Sequence, residues 1–367
     1  MTRTTADVIV IGSGVIGLAA TVALADTGLD VVLLADVRQG EASPAAAGML
    51  APGVELRDAA TRALHVAARD RWPAYVATLG ERTGVEVPLD RGGVLQLALT
   101  EAEAARLVAA APATAHWLDQ AALAALEPAL AHGVGALHHP LDGAVNPLVL
   151  LRALRHVAGR HVHVRVVTDA ATAIAPREHG AGGVAVALRG GETIDAMRVV
   201  VAGGAWTPQL AGLPRALPIE PVRGQMMSVA SRALRHVTYG GGGYVVPRGD
   251  GRTLIGSTME RVGFPEPGAT EEGVATLRQI GGAVTPTLRT AHMLHAWAGL
   301  RPMTPDLQPV IGADPAEPAV VWATGHSRNG VLLAPLTADL VVSAVAGTPP
   351  AVDVAPFAPD RFGAVAA

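Results

Sequence analysis

The segment Gly12-Ser13-Gly14-Val15-Ile16-Gly17 stands between a short β-branched run, Val8-Ile9-Val10-Ile11, and an apolar stretch that ends at Gly28. With the second apolar run that follows Asp30, the pattern predicts a strand, a tight turn, a helix over 14–27 and another strand. Each glycine has its own task in such a unit. Gly12 permits the turn, Gly14 leaves room for a pyrophosphate against the backbone, and Gly17 lets helix and strand approach closely. The helix N-terminus, with Val15 and Ile16 as cofactor-binding residues, then faces the phosphate charge with unpaired N–H groups. A dinucleotide is the expected ligand; a glycine-rich turn with no ligand is the alternative. A carboxylate ending the second strand would bind the adenosine ribose. The counted position holds Ala35 with Asp36 next to it, so either Asp36 or the backbone makes that contact.

The same stretch raises a membrane question. Val8 to Ala25 runs eighteen residues without a charge and ends Ala23-Leu24-Ala25, as a signal peptide with a small-residue cleavage site would. Against that, a single arginine precedes it, Asp7 abuts it, and three glycines interrupt it. No other segment approaches spanning length. The expectation is a soluble cytoplasmic protein with no membrane partner.

Composition then removes whole chemistries. The chain has no cysteine and no lysine, so all 28 of its Lys+Arg cations are arginines. No Schiff base, P-loop lysine, thiolate nucleophile, disulfide framework or cysteine-tethered cofactor is available. A net charge of -4 with five Trp, three Tyr and three Phe argues against a nucleic-acid groove. His161 with His163 on one strand face, and His292 with His295 one helical turn apart, lack a third ligand at metal spacing, so no metal is expected.

Beyond residue 40, Glu41-ASPAAAGMLAP reads as a small-residue loop, and helical patterns occupy about 57–80, 101–112 and 119–131. Asn146-Pro147 is a helix start. Alternating strand patterns dominate 215–295, in VRGQMMSVA, YVVPR and TLIGSTM, and suggest a mostly antiparallel layer. A glycine-rich turn, Gly325-HSRNG, then opens a helix running to Gly347.

Taken in order, GSGVIGL, SPAAAGMLAP, VVVAGGAW, PVRGQMMSV, YVVPRGDGRTLIGSTME, WAGLRPMTPDLQPVIG and ATGHSRNGVLLAP resemble the D-amino-acid oxidase family of flavoproteins over essentially the whole chain. Within it the likeness is greatest to the glycine oxidases that feed thiazole synthesis for thiamine. The resemblance implies an α/β fold: a Rossmann-type FAD-binding domain with an interleaved α+β substrate domain carrying a mostly antiparallel sheet. The implied FAD-binding segments are 1–85, 140–215 and 296–367, and the substrate segments are 86–139 and 216–295.

It also implies non-covalent FAD, with Gly12, Gly14 and Gly17 at the pyrophosphate turn. Ser43, Ala46, Ala47, Gly48 and Met49 match the loop along the flavin. Ala170 matches an adenine-side contact, Gly203, Gly204 and Trp206 a second glycine turn, and His326, Ser327, Arg328, Asn329, Gly330, Val331 and Leu332 the flavin's pyrimidine edge. The substrate residues carry over as Arg301 for a carboxylate, Tyr244 beside it, Met259 lining the pocket and Arg328 at its edge. Gly240 to Gly243 and Ser327 depart from bulkier residues in some members, which leaves pocket size open.

The chemistry of these residue types agrees. A planar guanidinium holds a carboxylate through two parallel hydrogen bonds and so fixes orientation as well as place. A phenol adds one more bond or closes the site. The implied reaction is hydride transfer from a small glycine-like amine acid to the flavin, with molecular oxygen as final acceptor. Three alternatives stay open: a D-amino-acid or sarcosine dehydrogenase that reduces a quinone, a flavin-binding protein without turnover, and a nicotinamide dehydrogenase. Homo-oligomerisation is also left open.

Overall fold

The computed structural model describes residues 4–54, 58–177, 182–266 and 268–363. Its first unit is the expected one: strand Thr4–Ile11, helix Val15–Asp26 and strand Val31–Leu34. The helix stops where Gly28 takes φ +88°, a conformation side chains rarely adopt. It is apolar nearly all round because it is covered on every side, packing between its own strands and the helices Pro147–Arg160 and Gly330–Ala346. Asn146 caps the former, accepting bonds from the N–H groups of Leu148 and Val149.

Thr4–Ile11 lies between two parallel neighbours, Val31–Leu34 and Thr193–Val201, and Val164–Val167 extends the sheet beyond Val31–Leu34. The strand Thr193–Val201 changes partner along its length. Its first part pairs antiparallel with Val184–Leu188, and its end, Val199–Val201, pairs parallel with Val320–Thr324. The central runs Val8–Ile11, Val31–Leu34, Val199–Val201 and Val320–Thr324 are buried on both faces, as helix-covered parallel strands require, while the edge strand Val164–Val167 is partly exposed.

A second eight-stranded sheet runs in the order Met293–Met303, Glu220–Ala230, Arg252–Gly256, Gly243–Pro247, Val237–Gly240, Val94–Ala98, Gly135–His139 and His116–Asp119. Every pair in it is antiparallel except Val94–Ala98 with Val237–Gly240. This is the mostly antiparallel layer read from the alternation. The expected boundary at 296 falls inside its strand Met293–Met303, so Arg301 stands on this sheet rather than on the nucleotide-binding one.

Other readings need correction. The region 215–295 also holds a helix, Glu271–Val284, whose apolar stripe of Val274, Leu277, Ile280 and Val284 is masked in sequence by Gly281 and Gly282. The helical pattern at 57–80 is two helices, Ala59–Arg69 and Trp72–Thr83, the second starting beside Pro73. His295 is on a strand, not a helical turn from His292. His161 ends a helix and His163 precedes a strand; they bond Asp26 at 3.1 Å and Asp30 at 2.9 Å respectively. Among the described residues no group of three or more His, Asp or Glu is arranged to hold a metal ion, and no helix is long and apolar enough to cross a membrane.

Candidate active site

A cavity of about 400 Å³ lies between the two sheets. One wall is made by the carboxyl ends of parallel strands and the turns that follow them, at Ile11–Gly14, Leu34 and Asp36, Val201–Gly204 and Ala323–Gly325. That is where ligands of open α/β sheets bind. The other wall comes from the antiparallel sheet, at Gly224, Met226, Tyr239, Tyr244 and Gly299–Pro302.

Two helix N-termini open on this space. Gly14 precedes the helix Val15–Asp26, and Asn329 precedes Gly330–Ala346; neither helix is capped by the side chain of its own N-cap residue, and neither has an acidic residue in its first turn. Both therefore present positive dipole ends to the cavity. At the first, the Val15 N–H donates to Ser43 Oγ at 3.0 Å, while Ser13 Oγ is buried without a partner. The turn tolerates no side chain at Gly12 or Gly17. A Cβ on Gly12, whose φ is +108°, would lie 2.6 Å from the Ala202 carbonyl oxygen, and one on Gly17 would lie 1.8 Å from the Gly12 carbonyl oxygen. A buried orphan hydroxyl, bare backbone and an open helix end together fit a pyrophosphate.

The loop expected along the flavin is held in place by the antiparallel sheet. Arg248 Nη2 donates to the Ala47 carbonyl at 2.5 Å, and Trp297 Nε1 donates to the Ala45 carbonyl at 3.0 Å. Burial pushes the Arg248 guanidinium down to about 10. Gly48, at φ +78°, passes so close to Val145 that a Cβ would sit 2.2 Å from its carbonyl oxygen.

Arg301 is half-buried in the second wall. Its Nη1 donates to the Thr258 carbonyl at 3.1 Å and its Nη2 to Ser257 Oγ at 2.6 Å. Among the described residues no carboxylate forms an ion pair with it. Burial holds its pKa below the ordinary arginine value and nearby Arg328 acts the same way, while Tyr244 opposes them. The group remains a cation, so this is a charged fork facing a cavity with donors to spare. Tyr244 sits with its hydroxyl 3.7 Å from Met226 Sδ, and its ring is 5.6 Å from that of Tyr239. His326 is buried, bonded to Thr337 Oγ1 at 3.1 Å, and pushed down to about 3 by desolvation, so it is neutral at ordinary pH.

Most residues singled out from the sequence line this one cavity: Gly12, Gly14, Val15, Ile16, Asp36, Ser43, Ala46–Met49, Ala170, Gly203, Gly204, Trp206, His326–Val331, Tyr244 and Arg301. Four do not. Met259 is 54% exposed on a loop outside the lining, which corrects its expected place in the pocket. The Ala35 N–H is spent on the Val167 carbonyl, and Leu332 is core, its carbonyl taken by Trp72 Nε1. Gly17 lies behind the turn, where its task is close packing.

Asp36 reaches the cavity, but its Oδ2 already accepts from Arg38 and Arg189, each at 2.7 Å. Sequence reading missed those two arginines, and also Tyr239, Ser257 and Glu41, which line the cavity as well. For Tyr239 a signal existed: it shares a strand face with buried Val237 immediately before the Gly240–Gly243 turn. Burial raises the pKa of Glu41, against a bond from the Arg38 N–H.

Residues 7–344 match the family described as FAD dependent oxidoreductase, DAO. The chain belongs to that family. It is 34% identical to the bifunctional protein ThiO/ThiG of Synechocystis sp. over 98% of this chain and 54% of that protein. It is 32% identical to the glycine oxidase of Geobacillus kaustophilus over 97% of each chain. The crystal structure of glycine oxidase from that organism superposes with a TM-score of 0.89 at 31% identity, covering 98% of this chain and 99% of that one. The chain thus spans about half the length of the bifunctional relatives. FAD is the cofactor of the family, and the glycine turn, the orphan Ser13 hydroxyl and the two open helix ends are the groups that would hold it.

Proposed function

We propose that the chain is an FAD-dependent oxidase of glycine and other small amine acids, including sarcosine and small D-amino acids. For glycine the balanced reaction is glycine, oxygen and water giving glyoxylate, ammonia and hydrogen peroxide. The observation that carries this reading is Arg301: a half-buried cation without a carboxylate of its own, beside Tyr244, in the cavity that the glycine turn opens. The full-length likeness to glycine oxidases supports it.

Bound FAD supplies the two-electron acceptor. The protein's part is to bind, orient and exclude. Arg301 takes the substrate carboxylate as a fork, which fixes the direction of the substrate's Cα. Tyr244 offers its hydroxyl to the same carboxylate. Arg328, exposed at the rim of the cavity, adds a second cation. Two cations lower the pKa of a substrate ammonium, which favours the neutral amine that oxidation needs. The helix Gly330–Ala346 turns its positive end toward the cavity and would stabilise negative charge on a reduced cofactor there. No side chain is asked to act as nucleophile.

The match to one half of a bifunctional protein supports a product that is passed to a partner reaction, and we place it in the supply of thiazole synthesis. Anaerobic addition of glycine, sarcosine or D-alanine to the yellow holoprotein tests the reading. Bleaching by at least one, with peroxide released on readmitting oxygen, is the expected result. Bleaching followed by reoxidation with a quinone but not oxygen would make it a dehydrogenase. Absence of bleaching with every amine acid would leave a binding protein.

A further inference from the structure

We propose that Ser257 and Gly224 are positioning residues for Arg301, setting the angle at which its guanidinium meets a substrate carboxylate. The inference rests on the carboxylate-binding reading of Arg301 given above.

On the paired strands Glu220–Ala230 and Met293–Met303, Arg301 lies opposite Val222, and Gly224 is two residues further along. Residues two apart share a sheet face, and a diagonal neighbour is within reach of a long side chain. The guanidinium lies across the place where Gly224 has no side chain. A Cβ there would be 2.1 Å from Arg301 Nη1 and 2.3 Å from both Cζ and Nη2. A side chain at 224 would push the flexible arm of Arg301 aside, so glycine there is what lets the guanidinium take this position.

Lying flat on backbone leaves rotation to be fixed, and Ser257 fixes it. Arg301 Nη2 donates to Ser257 Oγ at 2.6 Å, while Nη1 donates to the adjacent Thr258 carbonyl at 3.1 Å. A hydroxyl and a carbonyl on consecutive residues thus hold one hydrogen from each terminal nitrogen. The remaining N–H groups of the fork stay available to a ligand.

The Ser257–Thr258 segment is itself pinned to the strand that carries Gly224. The Gln225 N–H donates to Thr258 Oγ1 at 2.9 Å, and the Thr258 N–H returns a bond to the Gln225 carbonyl at 3.3 Å. Buried Gln225 is held in turn by Glu260 at 2.7 Å and by the Thr270 N–H at 2.7 Å. The hydroxyl at 257 is therefore a fixed point, not a mobile surface group. Gly256 does for Tyr244 what Gly224 does for Arg301, since a Cβ there would lie 2.6 Å from the phenol ring. Position 257 follows directly, so one short segment sets both ligand-facing groups.

The test uses FAD-loaded wild type and the variants Ser257→Ala, Ser257→Cys, Ser257→Thr and Gly224→Ala. Two readouts are taken: binding of acetate, a non-reactive carboxylate, from the change in flavin absorbance, and KM and kcat for glycine separately. A fork turned from its angle forfeits one of its two charge-assisted bonds to the carboxylate, which corresponds to roughly 10-fold or more in affinity. Ser257→Ala and Ser257→Cys should weaken acetate by about that factor and raise KM with FAD content unchanged, and Ser257→Thr should restore most of it. Gly224→Ala should exceed both. Should Ser257→Ala not retain FAD, Ser257→Cys carries the comparison, being close in size and a weak acceptor. Wild-type acetate affinity in Ser257→Ala or Ser257→Cys overturns the positioning role alone. Wild type that neither binds acetate nor bleaches with any amine acid overturns the reading of Arg301, and this inference with it.

Discussion

Replacing Gly17 by alanine separates the nucleotide-turn reading from ordinary helix chemistry, because the two predict opposite signs. Gly17 is buried in the first turn of the helix Val15–Asp26, where alanine is intrinsically better than glycine by up to about 1 kcal/mol. Its added Cβ, however, would stand 1.8 Å from the Gly12 carbonyl oxygen and 2.9 Å from that carbonyl carbon. Ordinary contact begins near 3.5 Å, so turn and helix must part by about 1.7 Å. The turn has nowhere to retreat, since Gly12 is pressed against the Ala202 carbonyl on its other side.

Overpacking of this kind costs about 1–3 kcal/mol, which outweighs the propensity gain. A turn shifted by this much also loses one or two bonds to phosphate, worth about 1.5–3 kcal/mol each. FAD affinity should therefore fall by roughly 10- to 1000-fold or more. Titrating apoprotein with FAD and following quenching of flavin fluorescence measures this, and melting temperatures with and without FAD check it by mass action. Gly28→Ala is the control: its φ of +88° imposes strain of about 1 kcal/mol, but an added Cβ meets nothing within 4 Å. It should lower Tm slightly and leave FAD binding alone. An unchanged FAD Kd in Gly17→Ala, with a raised Tm, would refute the argument.

Arg301→Ala should lower kcat/KM for glycine by about 100-fold or more while FAD stays bound, the loss of two charge-assisted bonds. Arg301→Lys should recover little, since a single ammonium cannot satisfy Ser257, Thr258 and a carboxylate together; steady-state kinetics decides both. Met259→Gln should leave kcat/KM within about 2-fold, because that side chain is 54% exposed and outside the cavity. His326 is depressed to about 3 when folded, against about 6.5 unfolded, so only the unfolded chain takes up its proton between those values. Stability is thus lost as pH falls from about 6.5 toward about 3, by up to about 1.4 kcal/mol per unit for this group. Since His139, pushed down to about 4, acts in the same direction, urea midpoints of His326→Gln from pH 7 to 4 should show a reduced slope rather than a flat one.

What could be read from the sequence was what local geometry dictates. The turn at Gly12–Gly17, the Asn146 cap and the alternating strands are constrained by neighbours in the chain, so their residues announce them. The partners of Arg301 were hidden because Ser257 and Thr258 meet it across 44 and 43 positions of sequence. Asp36 was found but not its two arginines, one of which is 153 positions away. Met259 was misplaced for the complementary reason: resemblance gives an order of residues, while a loop decides for itself which way they face. His292 and His295 alone do not reveal the strand that holds His295, because two residues cannot distinguish a period of 3.6 from one of 2.

The change of partner along Thr193–Val201 has a consequence for biosynthesis. The strand that carries the first glycine turn needs Thr193–Val201 beside it, and that strand's last residues need Val320–Thr324. The turn at 12–17 is thus made well before the facing helix end at 330. A ribosome must release most of this chain before a cofactor-binding cleft exists. Yellow colour should therefore be acquired late, and chains stalled before about residue 330 should remain colourless however long they wait with FAD.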